Sequence, residues 1–152
     1  MMNWQIKSFE QLTTNELYDF LKLRIDVFVV EQTCYYPDLD DLDRHPQTLH
    51  VFQYSGDNIV AYLRILPKGT TYQEYNSIGR VIIADSARGT GLGHDLLTTG
   101  IATCQAHFNE KAIKISAQEH LAKFYGRHGF KQVTEMYLED DIPHIGMLLS
   151  DN

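Results

Sequence analysis

Residues 79–93 constrain this chain more than any other stretch. They read Gly79-Arg80-Val81-Ile82-Ile83-Ala84-Asp85-Ser86-Ala87-Arg88-Gly89-Thr90-Gly91-Leu92-Gly93. Val81, Ile82 and Ile83 make an apolar, β-branched run, which favours a strand. A short polar turn follows, and the glycine-rich hexad then opens a helical pattern. Glycine admits positive φ and lets a ligand come close to the backbone. The N–H groups of residues 89–94, His94 included, are then gathered at a helix N-terminus, where they favour an anion. A phosphate-bearing ligand is the natural occupant.

The flanking pattern sets the fold class. A first strand is expected over residues 2–7. Thr13 and Glu16 form a capping box that starts a helix, with Leu17, Phe20, Leu21 and Phe28 at helical spacing and an end near Val29 or Val30. Residues 31–47 form an acidic loop. Strands over 48–55 and 58–67 flank Ser55-Gly56-Asp57-Asn58, a hairpin signal. After a loop at 68–77 come a strand over 78–84, the glycine turn and a helix over 91–108. A strand over 112–117, a short helix over 119–128 stopped by Gly129, and strands over 130–137 and 143–149 complete the chain. A helical crossover between strands 78–84 and 112–117 makes those two parallel, while the hairpins make their neighbours antiparallel. The expected class is α/β with a mixed, mostly antiparallel sheet and helices on both faces, in a single domain spanning 1–152.

Composition closes off several functions. A formal charge of -7 with no basic block argues against a nucleic-acid partner. No apolar run approaches membrane-spanning length, and the opening residues carry no leader pattern, so the cytoplasm is the expected compartment. Cys34 and Cys104 form no metal-type pair, and no metal is expected.

Spacing then tests the phosphate ligand. A nucleoside-triphosphate loop requires Gly-Lys-Ser or Gly-Lys-Thr, which is absent. In a dinucleotide fingerprint beginning at Gly89 the third glycine would fall on His94; beginning at Gly91 it falls on Leu96. Gly89, Gly91 and Gly93 match a methyltransferase-type spacing. That fold places the loop after its first strand, whereas here it follows a hairpin past mid-chain.

Arg88-Gly89-Thr90-Gly91-Leu92-Gly93 resembles the pyrophosphate loop of the GNAT superfamily of acyl-CoA-dependent N-acyltransferases. Phe124-Tyr125-Gly126-Arg127-His128-Gly129-Phe130 resembles a second segment of that superfamily, and element order and length agree over nearly the whole chain. Val27-Phe28-Val29-Val30-Glu31-Gln32, Ala117-Gln118-Glu119-His120-Leu121 and Asp141-Ile142-Pro143-His144-Ile145-Gly146-Met147 are similar to the ElaA-type branch.

The resemblance implies a parallel strand pair splayed around the arm of acetyl-CoA, the donor. It implies donor contacts at Val81, Ile82, Ile83, Arg88, Gly89, Thr90, Gly91, Leu92, Gly93, His94, Gln118 and Tyr125. It also implies direct transfer of an acetyl group to a small-molecule or peptide amine, with Tyr125 protonating the leaving thiolate. Candidate general bases are Glu31, His50, His120 and His144. Glu31 also qualifies as the partner of a buried arginine among Arg24, Arg64 and Arg80; Arg64 and Arg80 are alternatively ligands for an acidic substrate group. Residues 38–43 and Glu139-Asp140-Asp141 are candidates for attracting a cationic amine. The rival is a non-catalytic acyl-CoA-binding or sensor module on the same fold. A homodimer is compatible with either reading.

Overall fold

The structure is a computed structural model that describes residues 3–150. Met2, part of the expected first strand, lies outside them. One mixed sheet organises the chain, in the order β1-β2-β3-β4-β5-β8-β6, with β7 also paired to β8. Its strands are β1 (Gln5–Lys7), β2 (Leu49–Ser55), β3 (Asn58–Leu66), β4 (Asn76–Ile83), β5 (Ile113–Gln118), β6 (Lys131–Gln132), β7 (Tyr137–Glu139) and β8 (Ile142–Leu149). The β4–β5 contact is parallel and the remaining pairings are antiparallel.

Alternation along the strands divides the core between two faces. Phe52, Tyr62 and Ile82 turn to the face covered by α1 (Thr14–Arg24), meeting Phe20 and Leu23. Val51, Leu63, Ile65 and Ile115 turn to the other face, under Leu96, Leu97 and Cys104 of α2 (Leu92–Phe108) and Tyr125 of α3 (Ala122–Gly126). Gly100 brings α2 down onto β3, since a Cβ there would lie 2.6 Å from Leu63 Cδ2.

Two departures from the sequence pattern matter for the site. The first helix does not keep α pitch to Val30. It ends at Arg24 and continues over Ile25–Glu31 in the wider π spacing, with Gln32 N–H donating to Val27 O and Cys34 N–H to Val29 O, both at 3.2 Å. π segments concentrate at functional sites, and this one carries Phe28 and Glu31 beside the cleft. The strand expected over 130–137 is broken into β6 and β7. Gly146 allows the break: Val133 N–H reaches Gly146 O, and Gly146 N–H donates to Thr134 Oγ1 at 2.8 Å.

Candidate active site

β4 and β5 pair only at Asn76↔Ile113 and Ser77↔Lys114, after which they part. A β-bulge helps drive them apart. Tyr62 pairs with Ile82 and Arg64 with Gly79, so Leu63 faces both Arg80 and Val81. Arg80 takes φ +53, a left-handed conformation that is unusual for a side chain inside a strand. The gap widens into a cleft of about 330 Å³ lined from β4 by Gly79, Arg80 and Val81, from β5 by Ser116 and Gln118, and by Tyr125 and His144. Ala84 N–H donates to Val60 O at 2.8 Å. By strand alternation the Ile82 amide also turns toward β3, and those of Val81 and Ile83 turn toward the gap. Ile82 therefore departs from its expected role as a donor contact; its side chain is buried in the α1 core.

At the far end of the gap, Gly89 and Gly91 take φ +78 and +84, and Gly91 is the N-cap of α2 with no side chain capping it. The first turn of a helix has no internal acceptors for its N–H groups, so Leu92 and Gly93 are available to an anion. His94 N–H already donates to Gly91 O at 3.2 Å, which removes it from the expected set of amides. The His94 side chain instead meets His128, Nδ1 to Nε2, at 2.9 Å, and stacks beside Phe124. Burial and His94 together hold the His128 pKa below its usual range. Thr90 Oγ1 donates to Ala87 O at 2.7 Å and tightens the turn. The Arg88 side chain folds back: Nε donates to Ile83 O at 3.0 Å, and its Nη atoms hold Glu31 at 2.9 and 3.2 Å. Arg88 thus braces the loop, and Glu31 is its counter-ion.

Tyr125 lies in the cleft wall, ring edges against Phe124 and Phe130, and burial raises its hydroxyl pKa. It is a protonated phenol at neutral pH. Gln118 projects from β5, its amide 3.3 Å from Gln32 Oε1.

The candidate bases separate sharply. Glu31 is spent on Arg88. His50 is fully buried beneath α1, outside the cleft. Its Nε2 must donate to Asp43 O at 3.0 Å because a carbonyl only accepts; its Nδ1 lone pair is then taken by the Tyr62 hydroxyl at 2.6 Å. Burial lowers its pKa, and it has no free lone pair for proton transfer. His120 lies in the turn Glu119–Leu121, exposed and outside the cleft lining. His144 does line the cleft, with Nδ1 2.8 Å from Ile142 O and Nε2 3.5 Å from Glu139 Oε2.

The acidic loop departs most from expectation. Asp38, Asp40 and Asp43 do not form a solvated lure for amines, and Glu31 is not the partner of the buried arginines. Arg24 Nε and Nη1 donate to Asp38 and Asp43 at 2.8 and 2.6 Å, Arg64 holds Asp40 and Asp43, and Arg80 Nε donates to Asp38 at 2.9 Å. Three guanidinium groups and three carboxylates form one charge-balanced block on the α1 face, so Arg64 and Arg80 are not spare charges awaiting an acidic substrate.

Ser116 and Tyr137 were not singled out by sequence reasoning, and Glu139 was read only as part of an acidic run that attracts a cationic amine. Ser116 Oγ bonds the Tyr137 hydroxyl and Glu139 Oε1. The available signal was period-two alternation: Lys114, Ser116 and Gln118 are the polar positions that alternate with the buried Ile113, Ile115 and Ala117.

A family model for the acetyltransferase (GNAT) domain matches residues 22–150. The protein ElaA of Escherichia coli K12 is 43% identical over 147 residues, covering 97% of this chain and 95% of ElaA. The crystal structure of ElaA superimposes with a TM-score of 0.90 at 42% identity, covering 97% of this chain and 99% of that one. That of an acyl-CoA N-acyltransferase from Pseudomonas aeruginosa gives 0.93 at 43% identity, over 99% of this chain and all of that one. These matches span nearly the whole chain, and the chain belongs to the GNAT acetyltransferase family, in its ElaA-like branch.

Proposed function

We propose that this protein transfers an acetyl group from acetyl-CoA to a primary amine by direct attack within a ternary complex. The observation that carries the reading is the parting of β4 and β5 after two residue pairs, beside a tyrosine whose hydroxyl stays protonated. The glycine turn suits the pyrophosphate, and the Val81 and Ile83 amides suit the amide-bearing arm and the thioester carbonyl. Tyr125 then supplies the proton that the departing thiolate needs. Holding both reactants in one small cleft accounts for much of the acceleration. A cleft of about 330 Å³ shared by thioester and acceptor favours a short acyl group.

Calorimetry with acetyl-CoA and CoA, followed by thiol release with amines, tests this. Tyr125→Phe is expected to keep acetyl-CoA affinity and to lower kcat by about 10²–10⁴-fold, the usual worth of a positioned acid. Absence of binding overturns the reading. Tight binding with no thiol release from any amine would favour the non-catalytic acyl-CoA module.

A further inference from the structure

His144 is 7% exposed, and its ring orientation is fixed. The Ile142 carbonyl can only accept, so Nδ1 carries the hydrogen in that 2.8 Å contact. In the neutral imidazole Nε2 then presents a lone pair to the cleft. Glu139 Oε2 stands 3.5 Å from this lone pair. Two acceptors facing one another at that separation repel unless a donor serves both. Glu139 is held there by Ser116 Oγ, 3.1 Å from Oε1. Tyr137 pairs with His144 across the strands and stacks on its ring. Asp140 and Asp141 form the β7–β8 turn with φ +51 and +64, and Asp140 O accepts from Cys34 Sγ across the cleft.

We propose that Glu139 and His144 form the acceptor subsite, which takes a primary ammonium group and deprotonates it. This rests on the acyltransferase reading and adds the residues that hold the amine and the base. The ammonium donates one N–H to Glu139 Oε2 and one to His144 Nε2. The second of these protons passes to Nε2, leaving the nitrogen lone pair free to form the C–N bond with the thioester carbonyl carbon. As the C–S bond breaks, Tyr125 gives its hydroxyl proton to sulfur, and the nitrogen loses a further proton that restores the phenol. The imidazolium returns its proton to solvent. Substrate ammonium and acetyl-CoA thus become acetamide, thiol and one released proton, with no oxidant or further reactant.

The arrangement selects for charge. Glu139 and Asp140 line the cleft without an arginine or lysine partner among the described residues, whereas the carboxylates on the α1 side are already neutralised. The titratable and charged groups that line the cleft with His144 or touch its ring are Tyr137 and Glu139 of β7, Asp140 of the turn, Cys34, Tyr36 and Tyr72 from the facing loops, Tyr125 of α3, and, on the α1 side, Arg64 and Arg80 paired to Asp40 and Asp38. From β5 only the neutral Ser116 and Gln118 face it. Tyr72 is raised to about 12, by burial first and then by Tyr137 and Glu139, and stays neutral.

The test uses propylamine and phenethylamine, with 1-propanol as the uncharged control, in a thiol-release assay with saturating acetyl-CoA between about pH 6 and 8, the window in which histidine titrates. Alkylamines stay fully protonated there, so any acid limb belongs to the enzyme. Wild type is expected to acetylate the amines and not the alcohol, with kcat/KM rising toward the alkaline end of that window. His144→Gln is expected to lower kcat/KM about 10²–10⁴-fold and to abolish that limb. Glu139→Gln, at a half-exposed position, is expected to raise KM for the amine at least about tenfold with a smaller change in kcat. Both variants should keep the wild-type calorimetric affinity for acetyl-CoA. An active wild type whose His144→Gln variant keeps the rate and the acid limb, or whose Glu139→Gln variant keeps KM, overturns the subsite alone. A wild type that binds acetyl-CoA but acetylates neither amine overturns the subsite and the transfer reading together.

Discussion

Asp43→Asn removes a negative charge shared by two buried cations while leaving the shape of the side chain intact. Asp43 Oδ1 accepts from Arg24 Nη1 at 2.6 Å and from Arg64 Nη1 at 3.0 Å. Arg24 is wholly buried and Arg64 is 3% exposed, so neither can recover its solvation in place. Breaking a buried ion pair by removing one partner costs about 3–5 kcal/mol. Each arginine keeps a second carboxylate and the asparagine carbonyl still accepts one bond, which places the expectation near the lower end, about 3 kcal/mol. For a chain of this size that is a fall in Tm of about 9 °C. Asp41→Asn is the control: that carboxylate is exposed and pairs only with the exposed Arg44 in the same loop, so it should cost at most about 1 kcal/mol. The pH dependence has a definite sign. Burial alone would raise the Asp43 carboxyl, but Arg24 and Arg64 outweigh it and hold the pKa below the ordinary range. Its stabilising contribution is therefore complete above the unfolded value of about 3.9 and is lost as pH falls through the folded one. Urea unfolding followed by circular dichroism, at several pH values between about 3 and 7, should show wild-type stability dropping at the acid end and a shallower drop in Asp43→Asn. A variant within about 1 kcal/mol of wild type, or one with an unchanged acid slope, would refute the buried-network argument.

Two further outcomes follow from backbone and packing. Gly100→Ala should destabilise by about 1–3 kcal/mol, because its Cβ would sit 2.6 Å from Leu63 Cδ2 at the α2–β3 contact; denaturant titration checks it. Gly91→Ala meets no neighbour within 4 Å but forces a side chain onto φ +84, a backbone cost of about 1–2 kcal/mol. It should weaken acetyl-CoA binding about tenfold in calorimetry with kcat little changed.

Much of the donor side was legible in the sequence because it is written in local signals. The turn around Gly89 and Gly91 and the cap at Gly129 declare themselves through residues that alone tolerate their backbone. The parallel pairing of β4 with β5 followed from the crossover helix and the antiparallel pairing of β2 with β3 from their hairpin, and the Thr13–Glu16 capping box formed as read. The surroundings of the candidate bases and of the buried arginines were not legible because they are assembled from distant positions. The block that joins Arg24 to Asp43, and Arg80 to Asp38, depends on a loop crossing a helix end. A charge run cannot reveal that its members point inward. His50 and His144 look alike in the sequence as strand histidines. Only α1 lying over the first, and no helix lying over the second, distinguishes a tied ring from an available one. The change to π pitch after Arg24 likewise has no residue signature, since the same apolar spacing continues through it.

The parting of β4 and β5 has a consequence for the stability of the whole molecule. Two strands in the middle of a sheet, beyond Ser77 and Lys114, expose backbone edges to each other that no other described strand closes. On the proposed donor reading, an extended, amide-bearing ligand in that space would act as a substitute strand, so that binding would finish a piece of folding. Its free energy then counts toward the stability of the native state, about 2.7 kcal/mol when the ligand stands at a hundred times its dissociation constant. The two halves of the sheet, one under α1 and one beyond it, are then expected to be joined most firmly with the donor in place. The loaded protein should open along this seam less often than the empty one.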